Sequence, residues 1–174
     1  AAIRAALGVR DDARLVAAFA NSAWDMAVVD RDAGFPHMFA WLFTLVDYAV
    51  AHPSVHLVVR AHPAEVKVPD DLVSRTPVAA EIRTRYPSLP ANISLVDGHS
   101  PISSYVLAGM ADVAMVYSSR FGLELAVEGR RPWLAGDVTY RGKGFTRDLS
   151  SAAEMVAALE AWDRTEPLTD EARE

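Results

Sequence analysis

The sequence predicts an α/β fold, a doubly wound parallel sheet with helices on both faces, and three observations support this prediction. Short apolar runs alternate with segments of helical periodicity along the 174 residues. Several of these runs are continuously apolar, as is typical of strands buried on both faces. Polar residues follow the ends of the runs, where ligands bind in parallel sheets. We therefore expect one Rossmann-like domain spanning 1–174, with a polar tail over 163–174.

The first half of the chain contains two predicted strands around one long helix. The run ARLVAAFA, Ala13–Ala20, is flanked by polar residues and predicts a buried strand. Pro36 suits the first position of a helix, and apolar residues then recur at helical spacing, which predicts a helix over Pro36–Ala51. The apolar run VHLVVR predicts the second strand over Val55–Arg60.

The second half continues the alternation of helices and strands. A short amphipathic helix is predicted over Val78–Tyr86, stopped by Pro87, and Pro and Gly mark the ends of a helix over Pro101–Gly109. Gly129 is a suitable C-cap for a helix that ends just before it. The remaining predicted elements are strands at Ile93–Val96, Val113–Tyr117 and Pro132–Leu134, helices at Phe121–Glu128 and Ser151–Trp162, and a loop at Gly136–Thr146.

Composition and charge exclude several classes of protein. The chain is 51% apolar and 23% charged, as in ordinary globular domains, and its length suffices for a sizeable core. It has no cysteine, which excludes disulfides, thiolate catalysis and cysteine-based metal sites. A net charge of −6 argues against a nucleic-acid partner. No signal peptide is visible, and the most apolar run, 38–46, is far below the ~20 residues of a transmembrane segment.

Three polar clusters follow predicted strands and are expected to meet at one edge of the sheet. They are residues 21–25, His62 with Pro63, and Ser118 with Ser119. Ligands of doubly wound sheets bind at that edge, at the point where the strand order reverses. The convergence predicts a ligand site more strongly than any single motif does.

The turn at Ser118 and Ser119 lies between a predicted strand and a predicted helix. Unpaired N–H groups at the start of a helix, together with two hydroxyls, suit a phosphate. Glu124 follows one turn later, within reach of the ribose of the same ligand, so the pattern indicates a nucleotide-sugar site. The alternative is an ordinary serine cap with Glu124 exposed to solvent.

His62 directly follows the second strand, and Pro63 favours an extended conformation that would direct the imidazole into the cleft. A histidine there can donate a hydrogen bond to a phosphate. The alternative is a surface histidine before a turn proline, as His52 before Pro53 is expected to be.

Three further groups of residues are candidates for ligand contacts. Arg141 and Lys143 lie between glycines and could neutralise a diphosphate or a sugar acid, or form a solvated basic loop. Trp24 and Asp25 either border the cleft or cover the end of the sheet. The loop with Gly98 and Ser100 could contact a nucleobase, although Ser100 also suits the N-cap of the helix that starts at Pro101.

Several well-defined motifs are missing. The sequence contains no G-x-G-x-x-G after the first strand, no P-loop and no G-x-S-x-G nucleophile elbow. It also lacks H-E-x-x-H and paired metal ligands at helical spacing. We therefore expect no bound metal and no cofactor, and a nucleotide-sugar as substrate.

Three motifs together resemble the nucleotide-sugar half of GT-B glycosyltransferases. They are HP after the second strand, Y-S-S-x-x-G-x-E after the fourth, and the following GRRPWLAG. Over roughly residues 13–147 the chain resembles the bacterial capsule polysaccharide biosynthesis family, which includes Kdo transferases. The resemblance implies one half-domain of a two-domain cytoplasmic enzyme that makes capsule or another surface polysaccharide.

The resemblance also implies roles for individual residues. His62, Ser118 and Ser119 would bind the donor phosphate, and Glu124 would bind the ribose hydroxyls. The HP and SS pair is also similar to that of bacterial sialyltransferases, which points to a CMP-linked acid sugar as donor. A glycan or lipid-linked acceptor and the catalytic acid or base would belong to an N-terminal domain outside this chain, so the isolated chain is expected to be inactive. The full-length protein would associate peripherally with the inner membrane.

Three alternatives remain open. CDP-glycerol glycerophosphotransferases share HP and a Ser-Ser turn, but they usually carry Asp where this chain has Val116. UDP-sugar epimerases share the fold, but their glycine-rich serine turn is absent here. The third alternative is a non-catalytic nucleotide-binding or structural domain.

Overall fold

The predicted α/β fold, a doubly wound parallel sheet, is confirmed. A computed structural model describes residues 2–22, 33–66 and 77–161. Within these ranges six strands form one sheet: β1 Arg14–Phe19, β2 Val55–Arg60, β3 Ile93–Val96, β4 Val113–Val116, β5 Trp133–Leu134 and β6 Arg147–Asp148. All neighbouring strands are parallel, in the order β3-β2-β1-β4-β5-β6. This is the strand order of Rossmann folds, and it reverses between β1 and β4.

In the described part of the chain, helices lie between successive strands from β1 to β5, and a loop joins β5 to β6. The helices are α1 Ala2–Ala6, α2 Met38–Ala51, α3 Val78–Arg85, α4 Ser104–Met110, α5 Phe121–Val127 and α6 Ala152–Ala161. A single 3₁₀ turn, Pro63–Glu65, follows β2.

The sheet is buried on both faces, as the continuous apolar runs predicted. Alternate residues of β1 point to opposite sides. Val16 and Ala18 pack into the core layer with α2 and α6, whereas Leu15 and Ala17 pack with α4 and α5. The two layers fix the sheet between helices, so the loops at the strand ends are held by a rigid scaffold.

The boundaries of β2 and β3 match the prediction, and α2 begins two residues after the predicted Pro36. One α-helix and one strand were not predicted. The five-residue α1 is too short for a periodic pattern, although Ile3 packs on the core. The two-residue β6 is defined by backbone pairing, in which the Leu149 N–H donates to the Leu134 carbonyl at 2.8 Å.

The prediction that Ser100 caps a helix starting at Pro101 was wrong. The helix α4 begins at Ser104, with Ser103 as its N-cap. The Asp97 carboxylate accepts the backbone N–H groups of His99 and Ser100 at 2.9 and 3.1 Å, which fixes residues 97–100 as a turn. The chain therefore passes through a further non-helical segment before α4.

Candidate functional site

A cavity of about 500 Å³ opens at the carboxyl ends of β1, β2 and β4. It lies where the strand order reverses, which is the usual ligand position in this fold. The loops after these three strands and the first turns of α4 and α5 line it. The lining residues are Phe19, Ala20, Asn21, Arg60, Ala61, His62, Pro63, Ser104, Tyr105, Ser118, Ser119, Arg120, Phe121 and Glu124.

The structure thus places four predicted site residues, His62, Ser118, Ser119 and Glu124, around one cavity. His62 follows β2, whereas Ser118, Ser119 and Glu124 follow β4 much later in the sequence. Their common position follows from the parallel arrangement of β1, β2 and β4, which brings the three carboxyl ends to the same edge.

The serine turn is held from two sides. The Ser118 N–H donates to Oδ1 of the buried Asn21 at 3.3 Å, which ties the turn to the end of β1. The Tyr140 hydroxyl donates to the Ser119 carbonyl at 2.5 Å. Burial raises the pKa of Tyr140, so its hydroxyl remains a donor at neutral pH. The Ser119 Oγ accepts the Phe121 N–H at 3.1 Å, which leaves its own hydroxyl proton able to donate.

Gly122 allows α5 to pack closely behind this turn. A Cβ atom at this position would lie 2.5 Å from the Tyr140 hydroxyl oxygen and 2.9 Å from Cγ2 of Val116. Both separations are far below ordinary contact distances. Gly122 is the glycine of the Y-S-S-x-x-G-x-E motif, but the sequence analysis gave it no role of its own.

His62 is oriented by the turn that follows it. Its backbone is extended, with φ −67° and ψ 133°, as the following proline predicted. The ring Nδ1 accepts the Ala64 N–H at 3.1 Å, so the neutral imidazole carries its proton on Nε2. The side chain is half-buried and lines the cavity.

Gly98 and Ser100, predicted as base or cleft contacts, are not among the residues that line the cavity. A Cβ on Gly98 would lie 2.6 Å from Cγ2 of Val66 and 3.2 Å from the His62 carbonyl oxygen. Gly98 is therefore required for close packing against the turn that carries His62. The Ser100 Oγ accepts the Ile102 N–H at 3.3 Å.

Two buried charged residues near the cavity were missed by sequence analysis. Arg60, at the end of β2, is 4% exposed and lines the cavity, and burial lowers its pKa. Glu65 is 1% exposed, and its Oε1 accepts the Val78 N–H at 3.1 Å. Burial raises the pKa of this carboxyl. The available signal for Arg60 was an arginine at the end of a strand predicted to be fully buried.

Glu124 belongs to the exposed rim of the cavity, beside an aromatic wall. The Tyr105 hydroxyl donates to Glu124 Oε2 at 2.7 Å, and this bond raises the pKa of Tyr105. The Tyr105 ring packs edge-on against Phe121 with centroids 5.2 Å apart, and Phe121 packs edge-on against Phe19 at 4.8 Å. The carboxylate is thus held in place while remaining accessible.

Arg141 and Lys143, predicted to neutralise phosphate, are not among the residues that line the cavity. The Arg141 guanidinium donates to the carbonyls of Gly136 and Leu149, at 3.0 and 2.8 Å. It therefore holds the loop between β5 and β6. Lys143 is exposed on the same loop.

Trp24 and Asp25 lie outside the described residues. Within 2–22, 33–66 and 77–161, no group of three or more His, Asp or Glu side chains is placed to hold a metal ion. The same residues include no helix long and apolar enough to cross a membrane.

Comparison with known proteins supports the fold. A scan against protein-family models found no match, and a search of curated protein sequences gave no significant match. Among solved structures, the chain is similar to the β-Kdo 2,7 transferase KpsC of Thermosulfurimonas dismutans, with a TM-score of 0.52 and 22% identity. The match covers 85% of this chain and 45% of KpsC, so the chain spans less than half of that protein's length.

Proposed function

We propose that the chain is the donor-nucleotide-binding domain of a GT-B glycosyltransferase that builds a bacterial capsule or a related surface polysaccharide. The observation that carries the proposal is the convergence of His62, Ser118, Ser119 and Glu124 on one cavity at the switch point of the sheet. The structural likeness to a Kdo transferase supports the same class of enzyme.

The cavity suits a nucleotide in size and in the placement of its polar groups. A volume of about 500 Å³ is within the usual range for small-molecule sites. In this proposal the phosphate lies among the His62 ring and the two serine hydroxyls, all of which can donate hydrogen bonds. The ribose hydroxyls donate to Glu124, whose position is fixed by Tyr105.

For the donor we propose a CMP-linked acid sugar, on the similarity of the HP and SS motifs to those of bacterial sialyltransferases. The acceptor, a glycan or lipid-linked glycan, and the catalytic acid or base would belong to a second domain. We expect the chain alone to bind nucleotide weakly and to transfer no sugar. Turnover by the isolated chain with a donor and a glycan acceptor would contradict this expectation.

A thermal-shift titration with CMP, CDP, UDP and GDP tests the proposal. A ligand that binds only the folded state raises stability by about 2.7 kcal/mol at a hundred times its Kd, or roughly 5–11 °C for a chain of this size. We expect CMP to stabilise the chain most, and Ser118→Ala/Ser119→Ala to abolish the shift. Ser88→Ala/Ser150→Ala is the matched control, because it removes two exposed hydroxyls that do not line the cavity.

Each outcome has a defined meaning. Stabilisation by UDP, GDP or CDP in place of CMP would keep the class of enzyme and change the proposed donor, and CDP in particular would favour a glycerophosphotransferase. Equal stabilisation of wild type and of the Ser118/Ser119 variant would show that nucleotide binds elsewhere. No response to any nucleotide, in this chain and in a longer protein that includes the second domain, would overturn the proposal.

A further inference from the structure

We infer that Arg60 is the cation that binds the phosphate oxygens of the ligand in this cavity. The inference rests on the proposed function and gives its phosphate subsite a charged residue. The resemblance implied that His62, Ser118 and Ser119 form that subsite. The sequence predicted that its positive charges come from Arg141 and Lys143.

Arg60 is a buried cation without an ion-pair partner in the described part of the chain. It is 4% exposed, and no carboxylate oxygen of a described residue lies within 4.0 Å of its guanidinium. Its Nη1 donates to the Asp97 carbonyl, whereas its Nε is buried and has no hydrogen-bond partner among the described residues. A buried charge with an unsatisfied donor is costly, and proteins retain such groups chiefly at functional sites.

Neither of the two nearby carboxyl groups forms an ion pair with Arg60. The Asp97 carboxylate accepts the N–H groups of His99 and Ser100 within its own loop, and although its charge raises the pKa of Arg60, the opposing effect of burial is larger. The buried Glu65 accepts the Val78 N–H, and burial raises the pKa of its carboxyl. An anion that enters the cavity would supply the missing counter-charge.

The position of Arg60 suits an oxyanion. It is the last residue of β2 and lines the same cavity as His62, Ser118 and Ser119. The bond to Asp97 fixes one end of the guanidinium and therefore reduces the entropy lost on binding. A planar guanidinium can present two parallel donors to phosphate, which an ammonium group cannot do.

Thermal-shift titrations with inorganic phosphate test this inference, with ionic strength held constant by chloride. The chains compared are wild type, Arg60→Met, Arg60→Lys and Arg141→Met. Arg141→Met is the matched control because it removes the same charge from a guanidinium that contacts only carbonyls outside the cavity. Each titration is repeated with the nucleotide that stabilises wild type most and with its nucleoside.

We expect Arg60→Met to lose roughly 10–100-fold in affinity for phosphate and for the nucleotide, as for one charge-assisted hydrogen bond or two. Arg60→Lys should retain part of that affinity. We also expect Arg60→Met to melt no lower than wild type without ligand, since it removes an uncompensated buried charge, and Arg141→Met to melt lower while retaining its phosphate affinity.

Two results would overturn the inference: phosphate that fails to stabilise wild type, or phosphate affinity in Arg60→Met and Arg60→Lys that equals that of wild type. The same titrations distinguish failure of this inference from failure of the proposed function. If phosphate binding depends on Arg60 but no nucleotide binds more tightly than phosphate, the anion site stands and the nucleotide proposal fails. If nucleotides bind wild type and Arg60→Met equally, the nucleotide proposal stands and the role of Arg60 fails.

Discussion

Gly122→Ala is the substitution that most directly tests how the serine turn is held. The new Cβ would lie 2.5 Å from the Tyr140 hydroxyl oxygen and 2.9 Å from Cγ2 of Val116, whereas carbon contacts are favourable at about 3.5–4.0 Å. Tyr140 is 7% exposed and has little room to retreat. Any retreat lengthens its hydrogen bond to the Ser119 carbonyl, so the strain is transmitted to the phosphate end of the cavity.

Two effects of Gly122→Ala destabilise the folded state and one stabilises it, and together they set the expected change in the free energy of unfolding. Overpacking a core costs about 1–3 kcal/mol, and loss of the hydrogen bond adds about 0.5–1.5 kcal/mol. Alanine is favoured over glycine within a helix by about 1 kcal/mol, which offsets part of the cost. We therefore expect Gly122→Ala to lower the free energy of unfolding by about 0.5–3.5 kcal/mol. Each kcal/mol lowers the melting temperature by roughly 2–4 °C at this chain length.

Urea unfolding of Gly122→Ala, Tyr140→Phe and the double variant separates these causes. Because Tyr140→Phe removes the oxygen that clashes, Gly122→Ala should cost at least about 0.5 kcal/mol less in that background. Gly109→Ala is the control, because Gly109 also lies within a helix but its added Cβ would come no closer than 3.7 Å to another residue. This substitution should be neutral or stabilising. Stabilisation by Gly122→Ala, or an equal cost in both backgrounds, would refute the packing argument.

Three further predictions concern residues around the cavity. Burial raises the folded-state pKa of Glu65, so its stabilising contribution is full below its unfolded pKa and is lost as pH rises through the folded value. Glu65→Gln can still accept the Val78 N–H, so this variant should melt at a higher temperature than wild type at pH 8. Below pH 4.5, the ordinary pKa of glutamate, the two melting temperatures should converge. A difference in melting temperature that stays constant with pH would contradict this. Asn21→Ala should cost about 1–3 kcal/mol in urea unfolding, because it removes the Oδ1 atom that accepts the Ser118 N–H at a buried position; an unchanged midpoint would contradict this. Glu124→Gln should weaken calorimetric binding of a ribonucleotide roughly tenfold but leave its 2′,3′-dideoxy analogue unaffected, and equal losses for both would exclude contact with the ribose.

The sheet could be predicted from the sequence because its strands carry their own signal. Continuous apolar runs such as Leu15–Phe19 require burial on both faces, and their alternation with helices leaves few possible topologies. The edge strand β6 carries no such signal. It consists of two polar residues, Arg147 and Asp148, which pair with β5, and such pairing is a property of the tertiary structure alone.

The site was predictable to the extent that strand order determines it. His62 and Ser118 follow strands that flank β1, so the parallel topology alone brings them to one edge of the sheet. Partners of individual cations are not determined in this way. Arg141 lies beside glycines as a phosphate-binding residue would, but its guanidinium donates to the backbone carbonyls of Gly136 and Leu149. Arg60 resembles an ordinary residue at the end of a strand, and only the structure shows that it is buried beside the cavity.

An NMR titration of the ¹⁵N-labelled chain with CMP, CDP, UDP and GDP tests the central claim most directly, since it reports where a nucleotide binds as well as whether it does. The account predicts saturable shifts for at least one nucleotide, concentrated in the backbone amides of residues 60–65 and 118–124, which line the cavity or adjoin it. Saturable shifts confined to other parts of the chain, or none with any of the four nucleotides, would contradict a nucleotide site at the switch point of this sheet.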